Sequence, residues 1–287
     1  MSKQHALKMK IAPWALLAVS ASWGMAFVVM KDPIEKQGVN SFLFTRFLVA
    51  VLAMLAIQPS VLQRITPEIL RKGFIAGLFL GAGYVLQTLG LAIAGAAITG
   101  FITGLYVVAT PLIASLFLKA KITRFTWGCV GLATAGLALL SLRGWSLGFG
   151  EFLVFLCAIA FAAHIVTLGQ WSNGLDVYAM TIVQLATCTL MTGTLSFAQG
   201  YDLPVNLSGW LVVFYTAIIC TALAFVVQTW SQAHMSATKV AVILTMEVVF
   251  AALFAIIFGG EKLTLQTAIG GVLVIIAMYL IVLKEQK

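Results

Sequence analysis

Long uninterrupted apolar runs constrain this chain more than any other feature. They cover residues 11–30, 41–58, 71–93, 96–118, 125–142, 149–170, 178–198, 208–230, 237–258 and 265–283. A helix that crosses a bilayer needs about 20 mostly apolar residues. Ten such spans use roughly 200 of the 287 residues, which leaves only short connections and no room for a separate extramembrane domain. The runs are continuously apolar, so they do not read as the alternating strands of a membrane barrel. The first run is too long and too poorly punctuated for a cleaved signal peptide.

The bulk figures agree. Apolar residues make up 62% of the chain and charged residues 9%, against about 45–50% and about 25% in soluble domains. A soluble chain of this size has nowhere to hide that much apolar surface, because much of its own exterior must face water. Soluble, disordered and disulfide-framework classes are therefore excluded. Cys129, Cys157, Cys188 and Cys220 all lie inside apolar runs and read as small buried hydrophobes.

Turn signals separate the runs: Lys31-Asp32-Pro33, Gln58-Pro59-Ser60, Arg143-Gly144-Trp145, Ser172-Asn173-Gly174, Asp202-Leu203-Pro204 and Gly259-Gly260-Glu261. Ala94-Gly95-Ala96 is the weakest junction, because it carries no charge. The net charge of +8 is a topology signal. With the N-terminus in the cytoplasm, the inner segments hold Lys3, Lys8, Lys10, Arg64, Arg71, Lys72, Lys119, Lys121, Arg124, Lys239, Lys284 and Lys287. The outer loops hold Lys31, Lys36, Arg143 and Lys262. Excess Lys and Arg mark the cytoplasmic face, so both termini are placed there. The cations form no single face of the kind that binds nucleic acid.

The two halves resemble each other at an offset of about 140 residues. Residues 16–24 lie over 156–164. Leu43-Phe44-Thr45-Arg46-Phe47 lies over Thr181-Ile182-Val183-Gln184-Leu185. Residues 94–99 lie over 233–238, and Lys121-Ile122-Thr123 over Lys262-Leu263-Thr264. Five spans per half is an odd number, so the second half enters the membrane from the opposite side. This predicts an all-α integral membrane protein with ten transmembrane helices as an inverted repeat, residues 1–143 and 144–287. Such repeats place a binding site near the midplane, between the halves.

Several residues match a known family. Ser22-Trp23-Gly24-Met25-Ala26-Phe27-Val28-Val29-Met30-Lys31 resembles the first-helix signature of the drug/metabolite transporter superfamily, EamA type. Arg46 matches an arginine of the second helix. Leu86-Gln87-Thr88-Leu89-Gly90-Leu91-Ala92-Ile93-Ala94 and Pro111 match the third and fourth helices. Glu247 and the Gly-Glu-Lys-Leu-Thr run at 260–264 match the ninth-helix region. One departure is Val248, where the family often has proline after the glutamate. The resemblance implies a secondary transporter in a bacterial inner membrane, most similar to exporters of amino acids, aromatic ones in particular.

Trp23, Gly24, Tyr84, Tyr106, His164 and Glu247 fall near mid-span and form the candidate substrate site. An ionisable group at that depth is costly and faces a cavity or a partner. His164 offers a hydrogen bond to a carboxylate, or a neutral link between helices. Glu247 offers an ammonium ligand or proton carrier, or a knot between helices. Trp23, Tyr84 and Tyr106 suit a flat organic ligand, or plain packing. Arg46 is read first as a helix-to-helix hydrogen bonder, with anion steering second. Gln87, Gln184 and Gln228 read as helix glue. Gly73, Gly77 and Gly81 form a close-packing stripe. Gly100 and Gly104 read first as a similar close-packing pair on the fourth span and, with Pro111, second as a candidate bending element.

Competing readings are weaker. An exporter of lipophilic cations uses the same aromatics and Glu247. Phosphorylated solutes need a cluster of basic residues at the midplane, which the sequence lacks. His5, His164 and His234 offer no metal set, and no nucleotide loop is present. An enzyme or a scaffold is therefore disfavoured, no cofactor is expected, and the partners are a small solute and lipid, with the chain acting as a monomer.

Overall fold

The structure, a computed structural model, describes residues 3–91, 93, 96–141, 148–259 and 263–285. The expected turns at 94–95, 143–145 and 260–261 lie outside them. Among the described residues there is no strand. The helices are α1 (Lys3–Gln37), α2 (Val39–Ile57), α3 (Pro67–Leu91), α4 (Ala96–Gly104), α5 (Tyr106–Leu118), α6 (Arg124–Ser141), α7 (Phe149–Trp171), α8 (Val177–Gln199), α9 (Leu207–Ala217), α10 (Ala224–Gln232), α11 (Ala237–Leu244), α12 (Met246–Gly259) and α13 (Leu265–Glu285). A 3-10 turn, Pro59–Arg64, joins α2 to α3, and a π-helical turn, Ile218–Leu223, joins α9 to α10.

Eight helical stretches among the described residues are long and apolar enough to cross a membrane. Ile102–Leu118 is a shorter apolar helix. The exterior agrees with a lipid environment: Leu116, Phe117, Phe149 and Leu190 are largely exposed, while Thr110, Thr181, Gln184, Thr216 and Thr221 are fully buried. This is the reverse of a soluble protein's distribution. Thr181, Thr187, Thr192 and Thr216 return their hydroxyl hydrogens to carbonyls one turn back, at 2.7–2.9 Å. That satisfies them where no water is at hand.

Helix ends follow local chemistry. Thr66 Oγ1 accepts the amide of Ile69 at the start of α3, where Pro67 needs no donor partner. Asp176 and Asn206 cap α8 and α9 by accepting the Ala179 and Gly209 amides. The first helix corrects the sequence expectation. It does not stop at Lys31-Asp32-Pro33 but runs on through Pro33 to Gln37. The chain turns instead at Gly38, whose φ of 77° suits glycine. A proline removes one helical donor, and membrane helices tolerate this when neighbours satisfy the freed group.

The helices pack into two core clusters. One joins α1, α5, α6, α11, α12 and α13 and takes in Ala162 and Ile165 of α7 and Ala224 of α10. The other joins α2, α3, α8 and the α9–α10 stretch. Trp23 of α1 and Phe161 of α7 pack against both. The predicted glycine stripe of α3 is where this helix meets α8: Gly73 faces Val183, Gly77 faces Gln184 and Thr187, and Gly81 faces Met191. The absence of side chains there lets the two backbones approach.

Candidate functional site

A cavity with about 650 Å³ of atom-free space, part of it open to the outside, lies where the two clusters meet. Its walls come from α1 (Trp23, Met30), α2 (Arg46), α3 (Leu80, Tyr84, Gln87), α4 and α5 (Thr103, Tyr106), α7 (Phe161, His164, Ile165), α10 (Phe225, Gln228) and α11–α12 (Leu244, Glu247). Five of the six residues expected at a substrate site therefore line one space: Trp23, Tyr84, Tyr106, His164 and Glu247. Gly24 does not. It lies in the contact between α1 and α12, against Phe250, Ala251 and the Glu247 carbonyl.

Two interrupted helices supply key walls. The α4–α5 stretch breaks at Leu105 and α11–α12 breaks at Thr245. At each break the hydrogen bonding tightens to three residues: Leu105 N–H to the Ile102 carbonyl, and Val248 N–H to the Thr245 carbonyl. Tyr106 follows the first break directly, and Glu247 lies two residues beyond the second. The first break comes just after Gly104, and α5 continues through Pro111. Gly104 packs against Leu137 of α6, while Gly100 has open space where a side chain would sit.

The aromatic wall has defined geometry. Tyr84 stands edge-on to Phe47, Phe161 and Phe225, with centroids 5.2, 5.4 and 6.4 Å apart. Trp23 leans on Phe225 at 5.6 Å. Its indole N–H donates to the Cys220 carbonyl at 2.7 Å, so Trp23 offers a ligand its ring and not its donor. The Tyr84 and Tyr106 hydroxyls and the Glu247 carboxylate make no hydrogen bond to any described residue. Among the described residues, these three polar groups at the walls thus have no hydrogen-bond partner.

His164 is fixed. Its Nε2 lies 2.8 Å from the Gln184 amide oxygen. The Gln184 amide nitrogen is committed to the Met180 carbonyl at 3.2 Å. The amide oxygen can only accept, so Nε2 carries the hydrogen and Nδ1 of the neutral ring is an acceptor. Gln184 is helix glue, as its residue type suggested. Gln228 does more: it donates to Gln232 at 3.2 Å, but its own amide oxygen is buried without a donor. Gln87 donates to Thr103 at 3.2 Å.

Arg46 takes the first role that its position suggested, a helix-to-helix hydrogen bonder, and also lines the cavity. It is 3% exposed. Nε donates to Thr221 Oγ1 at 2.7 Å and one terminal nitrogen donates to the Cys220 carbonyl at 3.3 Å. Both acceptors lie in the π-helical turn, whose register frees backbone groups for side chains. The guanidinium carbon also sits 5.3 Å above the Tyr84 ring. Arg46 is thus part of the helix scaffold and of the cavity wall at once.

Phe161, Phe225, Met30 and Thr103 line the cavity without having been singled out in the sequence. Nothing in a chain with 19 phenylalanines distinguishes the two that matter. Among the described residues there is no cluster of His, Cys, Asp or Glu able to hold a metal ion.

Comparison with known proteins places the chain. The sequence model of the EamA-like transporter family matches twice, over residues 10–142 and 148–283. An uncharacterized transporter of Archaeoglobus fulgidus is 29% identical over 280 residues, covering 97% of this chain and 88% of that protein. A second uncharacterized transporter of the same organism is 27% identical over 141 residues, 48% of this chain and 49% of its own. One crystal structure superposes with a TM-score of 0.76 over 95% of both chains at 17% identity, a likeness of fold.

Proposed function

Since the chain belongs to the EamA-like transporter family of the drug/metabolite transporter superfamily, we propose that this multi-pass membrane protein is a secondary exporter of small organic solutes, amino acids including aromatic ones. The cavity carries this reading: it combines edge-packed aromatic rings with a fixed imidazole and unpartnered hydroxyl and carboxylate groups. Such a mixture suits a ligand with a flat apolar body and a polar head.

In this reading the chain forms ten spans in a bacterial inner membrane as an inverted repeat of residues 1–143 and 144–287, with both termini cytoplasmic. The paired family matches support the repeat. So do the helix breaks at Leu105 and Thr245, separated by the same spacing as the sequence repeat. Packing supports it too: α1 lies against α12 as α7 lies against α4 and α5, and the equivalent helices α6 and α13 pack on each other. Alternating access follows from rocking the two core clusters about the cavity, with the interrupted helices as bending points.

A lipophilic cation is the second reading, favoured by the aromatic wall and Glu247. Uptake into proteoliposomes of labelled tryptophan, phenylalanine, threonine, methionine and a lipophilic cation, with and without a proton gradient, separates the two. Saturable amino-acid flux supports the first. Flux of the cation alone supports the second. No flux from folded protein refutes both.

A further inference from the structure

Among the described residues, Arg46 is a buried cation that makes no contact ion pair with a carboxylate; Glu247 faces it across the cavity. Its hydrogen-bond acceptors are neutral, a threonine hydroxyl and a backbone carbonyl. The remaining terminal nitrogen meets only the Met30 sulfur, at 3.7 Å, a weak acceptor. A guanidinium has five donors in a planar fork, so at least two are left over beside the cavity. An unneutralised charge in a dry interior is costly, and within a membrane it marks a ligand or ion path.

The opposite pole lies in the same space. Glu247 lines the cavity with no hydrogen bond to any described residue, and no ion pair joins it to Arg46. Gln228, 2% exposed, adds an amide oxygen that lacks a donor. Acceptors without donors and donors without acceptors thus line one chamber, with rings between them. A zwitterion satisfies both sets; a simple cation or a simple anion satisfies one and is repelled at the other.

We propose that Arg46 binds the substrate carboxylate while Glu247 and the Gln228 amide oxygen bind its ammonium group, so that the cavity selects free α-amino acids over amines and carboxylic acids of the same shape. This rests on the transporter reading above and gives that site its head-group chemistry. Arg46 keeps its scaffold bonds through Nε and one terminal nitrogen, and offers the other to the ligand as a charged donor.

The test uses the full chain in proteoliposomes with three labelled probes: phenylalanine, phenethylamine and 3-phenylpropionate. The wild type should favour phenylalanine over both analogues by at least about tenfold in kcat/KM. Arg46→Gln should lower phenylalanine kcat/KM roughly 10- to 150-fold, the range for one charged hydrogen bond. It should leave phenethylamine unchanged or improved, so the preference collapses. Arg46→Lys should recover part of it. A wild type that carries phenethylamine as well as phenylalanine overturns the proposal. So does an Arg46→Gln variant that slows all three probes by one factor, which a purely structural arginine gives. If Arg46→Gln does not fold, the wild-type analogue series decides alone. Amino-acid flux that is indifferent to Arg46 overturns this proposal and leaves the transporter reading standing; flux of none of the probes removes both.

Discussion

Replacing Gly24 by alanine tests whether α1 and α12 are seated against each other or only happen to be adjacent. A Cβ at position 24 would lie 2.6 Å from the Phe250 Cβ, 2.7 Å from the Ala251 backbone nitrogen and 2.9 Å from the Glu247 carbonyl oxygen. Carbon atoms rest at about 3.5–4.0 Å, so α1 must back away by about 1 Å. Two of the three obstacles are backbone and cannot rotate aside. Overpacking of this kind costs about 1–3 kcal/mol, against which alanine recovers up to about 1 kcal/mol of helix propensity. With two obstacles fixed in the backbone the upper part of that range, about 2–3 kcal/mol, applies, so the expected net loss is about 1–2 kcal/mol. Gly100→Ala is the control: its Cβ meets nothing within 4 Å, so it should be neutral or stabilising by up to about 1 kcal/mol. Reversible SDS unfolding of both variants, paired with substrate KM in proteoliposomes, provides the assay. Because α12 carries Glu247, Gly24→Ala should also raise KM. Full stability together with a raised KM would refute the packing account and make Gly24 part of the ligand surface.

Other expectations follow from the same geometry. His164→Ala removes a neutral hydrogen bonder fixed by Gln184, and should weaken substrate affinity about 2- to 10-fold; unchanged transport kinetics would exclude a ligand role. Glu247→Gln should retain folding, weaken affinity for amino acids, and abolish any response of flux to a proton gradient; a variant that still responds places the proton carrier elsewhere. Single cysteines at Asn206 and Lys121 should label from opposite faces of sealed cells, Asn206 from outside and Lys121 only after permeabilisation. The four native cysteines are buried, which keeps the background low.

Much of the cavity was legible before any coordinates. Trp23, Tyr84, Tyr106, His164 and Glu247 stood out because a polar or amphipathic group at mid-span needs a reason to be there, and the fold brings all five to one cavity. Gly24 drew attention for the same mid-span depth, but depth along a helix says nothing about which face looks inward. The uniform apolarity of these helices erases the periodicity that fixes a face in soluble proteins. Gln228 shows the converse loss: its residue type suggests glue, and only its surroundings reveal an acceptor left without a donor. The π-helical turn at 218–223 has no sequence signature in Ile218-Ile219-Cys220-Thr221-Ala222-Leu223, so the anchor for Arg46 and Trp23 was invisible. The length of α1 was underestimated because Pro33 and its charged neighbours look like a stop, whereas in a bundle other helices replace the lost hydrogen bond.

The anchoring of Arg46 also bears on biogenesis. Its partners, Thr221 and Cys220, lie 175 and 174 residues further along the chain. At synthesis rates of roughly 5–20 residues per second, the arginine emerges roughly 9–35 s before them. During that interval α2 holds a guanidinium with neither of its final oxygen acceptors, Thr221 Oγ1 and the Cys220 carbonyl. The side chain must reach for the lipid headgroups along its flexible stem, or the helix must wait beside the insertion machinery. Assembly order is thereby tied to the last third of the protein: only when the π-helical turn arrives can the arginine settle, and with it the wall of the cavity.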